Sequence, residues 1–337
     1  MSVSKKLLQA AAGAAGAEAL DVDEVFSTYL YDGTGAAQTI TNNIDLSGEG
    51  GLVWLKERTS VGSLGWHSLF DTARGTAKYL SSNNSNAEAS SSGVTAFNSN
   101  GFTLGDTGLV NQNTGDFVSW TFRKAPKFFD VVTYTGDDSG NVVKSHSLGS
   151  TPGMIIIKNL SSNTGWDVFH RSTTSGLGTG RLFLHSTSAE DNTSTQFLTA
   201  DSSSITLTHT IVKTGGENYV AYLFAHNDGD GEFGPDGDAD IIKCGSFSHD
   251  FNGAEVNLGF EPQWILLKAA DQSNNWYIFD VMRGIVTGGL SGDGDAALFP
   301  NTSGAENVNT FGIDVTSTGF IVYGNNILSS GNAIYIA

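Results

Sequence analysis

GLVWLKERTSVGSLGWHSLFD (51–71) decides the fold, because the chain writes nearly the same line twice more. PGMIIIKNLSSNTGWDVFHR (152–171) and EPQWILLKAADQSNNWYIFD (261–280) repeat its plan of apolar run, lysine, polar turn, tryptophan and phenylalanine. Trp54, Lys56, Trp66 and Phe70 mark the first copy. Ile156, Lys158, Trp166 and Phe169 mark the second, and Trp264, Lys268, Trp276 and Phe279 the third. The lysines stand 102 and 110 residues apart, and Trp66, Trp166 and Trp276 stand 100 and 110 apart. A period of that length is too long for a solenoid or propeller blade and matches an independent domain.

Working outward, the copies keep agreeing. An Ala-Glu pair follows a leucine at constant spacing: Leu80 to Glu88, Leu182 to Glu190, and Leu298 to Glu306. A short pair comes next, Gly101-Phe102, Ser204-Ile205 and Gly319-Phe320. Each copy closes on an aromatic strand: FVSWTF (117–122), YVAYLF (219–224) and AIYIA (333–337). The third such strand ends the sequence, so a domain is expected to be complete there. Short alternating runs between Gly-, Ser-, Thr- and Asn-rich turns, with 42 glycines against 5 prolines, read as an all-β chain. The expected organisation is a helix over 1–20, sandwiches over 21–126 and 127–227, and an acidic linker with a third sandwich over 228–337. The sandwiches are expected to be strung like beads.

The balance of 17 basic against 35 acidic residues gives a formal charge of −18, a field that repels phosphate backbones and anionic membranes. Nucleic acid is therefore not expected as a partner, and no apolar run is long enough to span a bilayer as a helix. The single cysteine, Cys244, excludes an internal disulfide and sits in an apolar strand pattern, IIKCG, as a small hydrophobe.

Residues 3–19, VSKKLLQAAAGAAGAEA, break the β pattern. Ser4 suits a helix cap, and Leu7, Leu8, Ala11 and Ala14 form a small-residue face for docking on a partner. The competing reading is a signal peptide, with two lysines, a mildly apolar stretch and Ala-Glu-Ala.

Among candidate chemistry, Lys56, Lys158 and Lys268 read as strand-edge lysines with apolar stems and charges in water. Glu88, Glu190 and Glu306 recur with them and suit a tie to the lysine of the same copy. One recurring acid per copy falls short of the carboxylate pair of a glycosidase. Asp71 with Arg74, and Asp280 with Arg283, suit turns held by a charge-assisted bond, while the second copy has His170 and Arg171 there. Trp54, Trp66, Phe70, Trp166, Phe169, Trp264, Trp276 and Phe279 read as repeat core; Trp66, Trp166 and Trp276 as sugar-stacking rings are the alternative. HNDGDGEFGPDGDAD (226–240) sets Asp228, Asp230, Glu232, Asp236, Asp238 and Asp240 among glycines. Such alternating oxygen ligands suit Ca²⁺; without a cation the segment reads as a solvated, flexible linker. No zinc, phosphate-loop or nucleophile-elbow motif is present.

Several stretches together carry a resemblance: the leader MSVSKKLLQAAAGAAGAEALDVDEVFSTYLYDGTGAAQTI, WLKERTS, HSLFDTARG, YLSSN, GFTLG and HNDGDGEFGPDGDADIIKCGS. The chain resembles virion structural and tail-fibre-like proteins of marine bacteriophages that infect cyanobacteria and related ocean bacteria. The resemblance implies lectin-like jelly-roll sandwiches, a structural role without catalysis, and attachment to other virion proteins through the N-terminus. A homotrimer is expected by analogy to phage fibres, with a host surface glycan or protein as the outer partner. The expected function is a tail fibre or appendage; the alternatives are a capsid surface fibre, decoration or cementing protein, and a polysaccharide-degrading appendage.

Overall fold

The computed structural model describes residues 19–59, 65–192, 195–250, 253–285, 294–308, 312–323, 328 and 331–337. The docking face expected at Leu7, Leu8, Ala11 and Ala14 lies outside the described residues. The regular structure of the described chain is almost all β, with short helical turns at α1 (Val22–Val25), α2 (Gly108–Asn111) and a 3-10 turn at Thr210–Val212.

The repeats share one topology. In the first, β1 (Phe26–Asp32), β9 (Asp116–Arg123), β3 (Gly51–Glu57) and β4 (His67–Asp71) lie side by side in that order. They face a sheet ordered β2 (Gln38–Thr41), β8 (Gly101–Leu104) and β7 (Val94–Asn98), and a small ribbon joins β5 (Lys78–Tyr79) to β6 (Ala89–Ser90). The second repeat orders β10 (Phe129–Thr135), β17 (Asn218–Phe224), β12 (Met154–Asn159), β13 (Trp166–His170) and β14 (Leu182–Phe183). Its smaller sheet is β11 (Val142–Ser145), β16 (Ser204–Leu207) and β15 (Leu198–Ala200). The third orders β18 (Cys244–His249), β24 (Gly331–Ile336), β20 (Trp264–Ala269) and β21 (Trp276–Asp280), facing β19 (Ala254–Asn257), β23 (Gly319–Val322) and β22 (Ile313–Thr316). All of these pairings are antiparallel. Each repeat is thus a β-sandwich, as the turn-rich alternating sequence predicts.

The arrangement of the repeats differs from beads. Side chains alternate faces along a strand, and in the larger sheets both faces are buried. Val53, Leu55, Phe70 and Phe117 point into the sandwich of the first repeat, against Ile40, Phe102 and Leu104. Ile265, Leu267, Phe279 and Tyr335 do the same in the third, against Val256, Phe320 and Val322. The opposite faces, Leu52, Trp54, Leu69 and Trp120 from the first repeat and Leu266, Trp276, Ile278 and Ile336 from the third, join the second repeat in one shared core. Phe122, Phe224 and Trp264, one from each repeat, meet at one end of this core, with ring centroids 5.5 Å apart for Phe122–Phe224 and 5.4 Å for Phe122–Trp264. The three sandwiches therefore close around a common centre. The reason was already in the sequence: runs such as MIIIK and WILLK are apolar at consecutive positions, the pattern of strands covered on both faces.

Candidate functional site

Strand register identifies equivalent positions, and the recurring residues turn out to sit at the seams between repeats. The amide of Glu88 donates to the carbonyl of Leu160 at 3.1 Å, that of Glu190 to Ala270 at 2.7 Å, and that of Glu306 to Arg58 at 2.8 Å. Each acceptor lies two residues beyond a recurring lysine, in the next repeat, and the third bond returns to the first. A head-to-tail contact used three times thus closes a ring.

Two further sets follow the same order. Trp166 Nε1 donates to the carbonyl of Ser81 at 3.0 Å, and Trp276 Nε1 to that of Phe183 at 2.9 Å. The tryptophans pair across their sheets with Lys158 and Lys268, but the partner of Lys56 is His67, not Trp66. The tryptophan spacing of 100 and 110, so close to the 102 and 110 of the lysines, is therefore misleading. A shift of one residue turns a side chain to the other face, and Trp66 packs half-buried against the first sandwich core. His67 takes the central place, fully buried, accepting at Nδ1 from Trp54 Nε1 at 2.9 Å. Burial holds its pKa well below the usual imidazole range, with Lys56 adding to the effect and the Phe299 carbonyl opposing it. Of the other expected core residues, Trp54, Phe70, Phe169, Trp264 and Phe279 are buried.

At the far end of β4, β13 and β21 a third set of ties forms. Tyr222 OH donates to Asp71 Oδ2 at 2.8 Å, Trp120 Nε1 donates to Asp280 Oδ2 at 2.9 Å, and His170 Nε2 meets the carbonyl of Tyr335 at 3.0 Å. Arg74 binds Asp71 at 2.6 Å through Nε and Glu88 at 3.3 Å through Nη1. Arg283 binds Asp280 at 2.6 Å and Glu306 at 3.1 Å in the same way. Glu306 also takes a two-pronged bond from Arg58 of the first repeat, at 3.0 and 2.8 Å. In the second repeat, where the arginine is missing, Glu190 accepts instead from the amide of Thr174 at 3.0 Å. The glutamates thus serve turns and seams, correcting the expected tie to the lysine of the same copy.

The lysines are corrected too. Lys56, Lys158 and Lys268 are buried, with no water-facing head. Their strands are covered on the second face, so Nζ is enclosed and turns to turn carbonyls: Glu57 at 2.5 Å, Asn159 at 2.6 Å and Ala269 at 2.7 Å. Burial is the main cause that pushes all three down to about 8. From about pH 8 to about pH 10 the unfolded chain then binds more protons than the folded one, so stability rises with pH over that window. Above about pH 10 buried tyrosines such as Tyr31, Tyr134 and Tyr222, whose pKa is raised by burial, reverse the sign. Urea titrations should therefore show roughly 1 to 3 kcal/mol more stability at pH 9.5 than at pH 8; a flat or falling profile would show that the ammonium groups are solvated.

The acidic segment is a folded loop. Phe233 is buried and packs on Phe128, with centroids 6.4 Å apart, and Gly234 donates to the carbonyl of Leu20 at 2.9 Å. Asp230 pairs with Lys127 at 2.7 Å and Asp228 with Lys243 at 3.4 Å. Asp240 accepts from the amides of Gly229 and Gly231 at 2.8 and 2.9 Å. Glu232, Asp236 and Asp238 stay exposed, and among the described residues no three His, Cys, Asp or Glu side chains converge as a cation would need. Buried Phe233 corrects the expectation of a flexible linker. Cys244 is buried, with Sγ 3.4 Å from the carbonyl of Ala225.

One position breaks the threefold pattern. Ser68 and Tyr277 occupy matching places on β4 and β21; the second repeat has Asp167. Tyr79 and Ala297 match Arg181, and Ala89 and Asn307 match Asp191. Three charges thus stand in the second repeat where the others are neutral. Arg181 lies between the two acids, at 3.2 Å from Asp167 and 2.8 Å from Asp191, and 4.7 Å above the Phe183 ring. Asp167 and Arg181 border a cleft of about 490 Å³ walled by Asn159, Thr164, Phe183, His185 and Ile211. Burial is the largest cause raising Asp167 to about 6, with Arg181 and Lys158 opposing it. His185 Nδ1 accepts from the Trp166 amide at 3.1 Å, which puts the proton of the neutral ring on Nε2. Sequence reading passed over these residues; aligning the copies on Leu80, Leu182 and Leu298 would have exposed the extra charges.

Fold and cleft together define a three-lobed all-β protein whose sandwiches close on one another and leave a polar recess in one lobe. The chain belongs to a family described as a domain of unknown function, DUF7483, which matches residues 21–337. Comparison with curated proteins gave no match.

Proposed function

We propose that this chain is a non-enzymatic surface protein of a bacteriophage particle. It acts as a tail fibre or appendage subunit, attached through its N-terminal segment and meeting the host surface with the opposite end of the ring. The observation that carries this reading is the polarity of the ring. Residues 20–26 enter beside Phe122 and Trp264, fastened to the 226–240 loop, at the end where β12 begins with Met154. The cleft opens beyond Asn159, where β12 ends, about 17 Å further along the strand. A leader at one end and a recess at the other suit a part that is held on one side and touches on the other. The resemblance to marine phage virion proteins supports the same reading, and several subunits on one particle would strengthen a weak contact.

Removing residues 1–20 tests it. The truncated protein should bind host cells while failing to enter particles. Incorporation at the normal level, or many copies over the capsid of a mutant that adsorbs normally, would overturn the proposal.

A further inference from the structure

We propose that the cleft of the second repeat binds a neutral saccharide unit, its hydroxyls on Asp167, Arg181 and His185 and its carbon face on Phe183 and Ile211. This inference rests on the adhesive reading above and names the ligand class.

The cleft departs from its own symmetry mates. A buried ion pair costs desolvation energy that a hydrophobic or neutral filling avoids, and two repeats fill this place with Ser68 and Tyr79, or Tyr277 and Ala297. Sandwich stability therefore does not require the charges. They also stand beside an open space, with a large apolar side chain, Ile211, 43% exposed on its wall.

Charge then selects the ligand. The Arg181 guanidinium is held between Asp167 and Asp191. The Lys158 ammonium is turned to the carbonyls of Asn159 and Ser162, at 2.6 and 3.4 Å. Neither cation is offered unshared to a phosphate, sulfate or carboxylate, and the chain as a whole carries −18. What the walls do offer is a carboxylate acceptor, an Nε2–H donor on His185 and the hydroxyls of Thr164, Ser186, Ser188 and Thr214. Mixed donors and acceptors around an apolar wall fit a ring bearing several hydroxyls.

The other repeats supply variants that keep the fold. Asn83 and Asn301 stand where His185 does and accept the equivalent amides, from His67 and Trp276, at 3.0 Å each. His185→Asn therefore keeps the structural bond and deletes the Nε2 donor. The double change Asp167→Ser with Arg181→Tyr installs the pair of the first repeat.

The experiment is saturation-transfer NMR and calorimetry on the full chain with neutral hexoses and their di- and trisaccharides, and in parallel a sialylated and a sulfated oligosaccharide. A neutral saccharide should bind, weaken at least tenfold in the double variant and several-fold in His185→Asn, with Tm equal to or above that of the parent. Binding should also fall below about pH 6, as Asp167, faced by Arg181, Lys158, Asp191 and His185, takes up a proton. Binding that is unchanged in both variants, preference for the anionic sugars, or no saccharide binding would overturn the proposal. Labelled protein is added to host cells in the same series. Cell binding that vanishes in the double variant without any sugar bound keeps the adhesive reading and rejects the saccharide; no cell binding by the parent rejects the adhesive reading.

Discussion

Cutting the chain after residue 240 is expected to leave no folded product, where a string of independent beads would leave two intact domains. The cut removes Trp264, Leu266, Trp276, Ile278, Leu298, Ile334 and Ile336 from the shared core. It uncovers Trp120, Phe122, Phe26 and the central faces of the first two repeats. A buried side chain of this size contributes about 1.5 to 3 kcal/mol when covered, and a folded domain holds only about 5 to 15 kcal/mol in reserve. Uncovering one side of the core therefore exhausts the stability of what remains, and the exposed apolar face favours aggregation. Calorimetry of the full chain should show one cooperative transition, and circular dichroism of the 1–240 fragment no thermal transition. A soluble fragment that melts at the parental temperature would refute ring closure.

Replacing Arg283 by Met should cost about 3 to 5 kcal/mol, because it strips a buried charge network of its cation. The Arg283 and Asp280 side chains are fully buried and Glu306 nearly so. Among the described residues, removal leaves Asp280 to Trp120 Nε1 and the Arg283 amide, and leaves Glu306 to Arg58. Arg283→Lys should restore little. An ammonium cannot bridge Asp280 through Nε while reaching Glu306 and the carbonyl of Ile278 through separate nitrogens. The control is Arg123→Met, which breaks a pair with half-exposed Glu49 and should cost under about 1 kcal/mol. Urea midpoints at pH 7 compare the three; equal small losses would mean that the seam between the third and first repeats carries no special energy.

The glycines and polar turns between short apolar runs gave the strand class, and Leu80–Glu88, Leu182–Glu190 and Leu298–Glu306 gave the repeat register. Trp66 shows where such reading fails. Its spacing matched the other tryptophans, but the turn before β4 differs in length from those before β13 and β21, and the equivalent residue is His67. A histidine and a tryptophan share no signature that spacing can detect; they share only a buried place and a ring nitrogen aimed at a neighbouring repeat. The lysines were misread for a related reason. Alternation says which face Lys158 shares with Ile156, but says nothing of what covers that face. The cleft was hidden because Asp167, Arg181 and Asp191, 14 and 10 residues apart, follow no motif spacing, and each alone reads as a surface charge.

By itself the sequence determined the period, the strands and the sandwiches, because backbone pairing and side-chain alternation act over a few residues and recur wherever the pattern recurs. Only the tertiary structure decided that the three copies close on one another, that the recurring lysines are buried and the glutamates serve the seams, and that one lobe keeps a charged recess. Closure and seams depend on contacts between different repeats, such as Glu88 with Leu160 and Trp276 with Phe183, whose energies exist only once the faces have docked; the recess depends on turns that fold Asp167, Arg181 and Asp191 together.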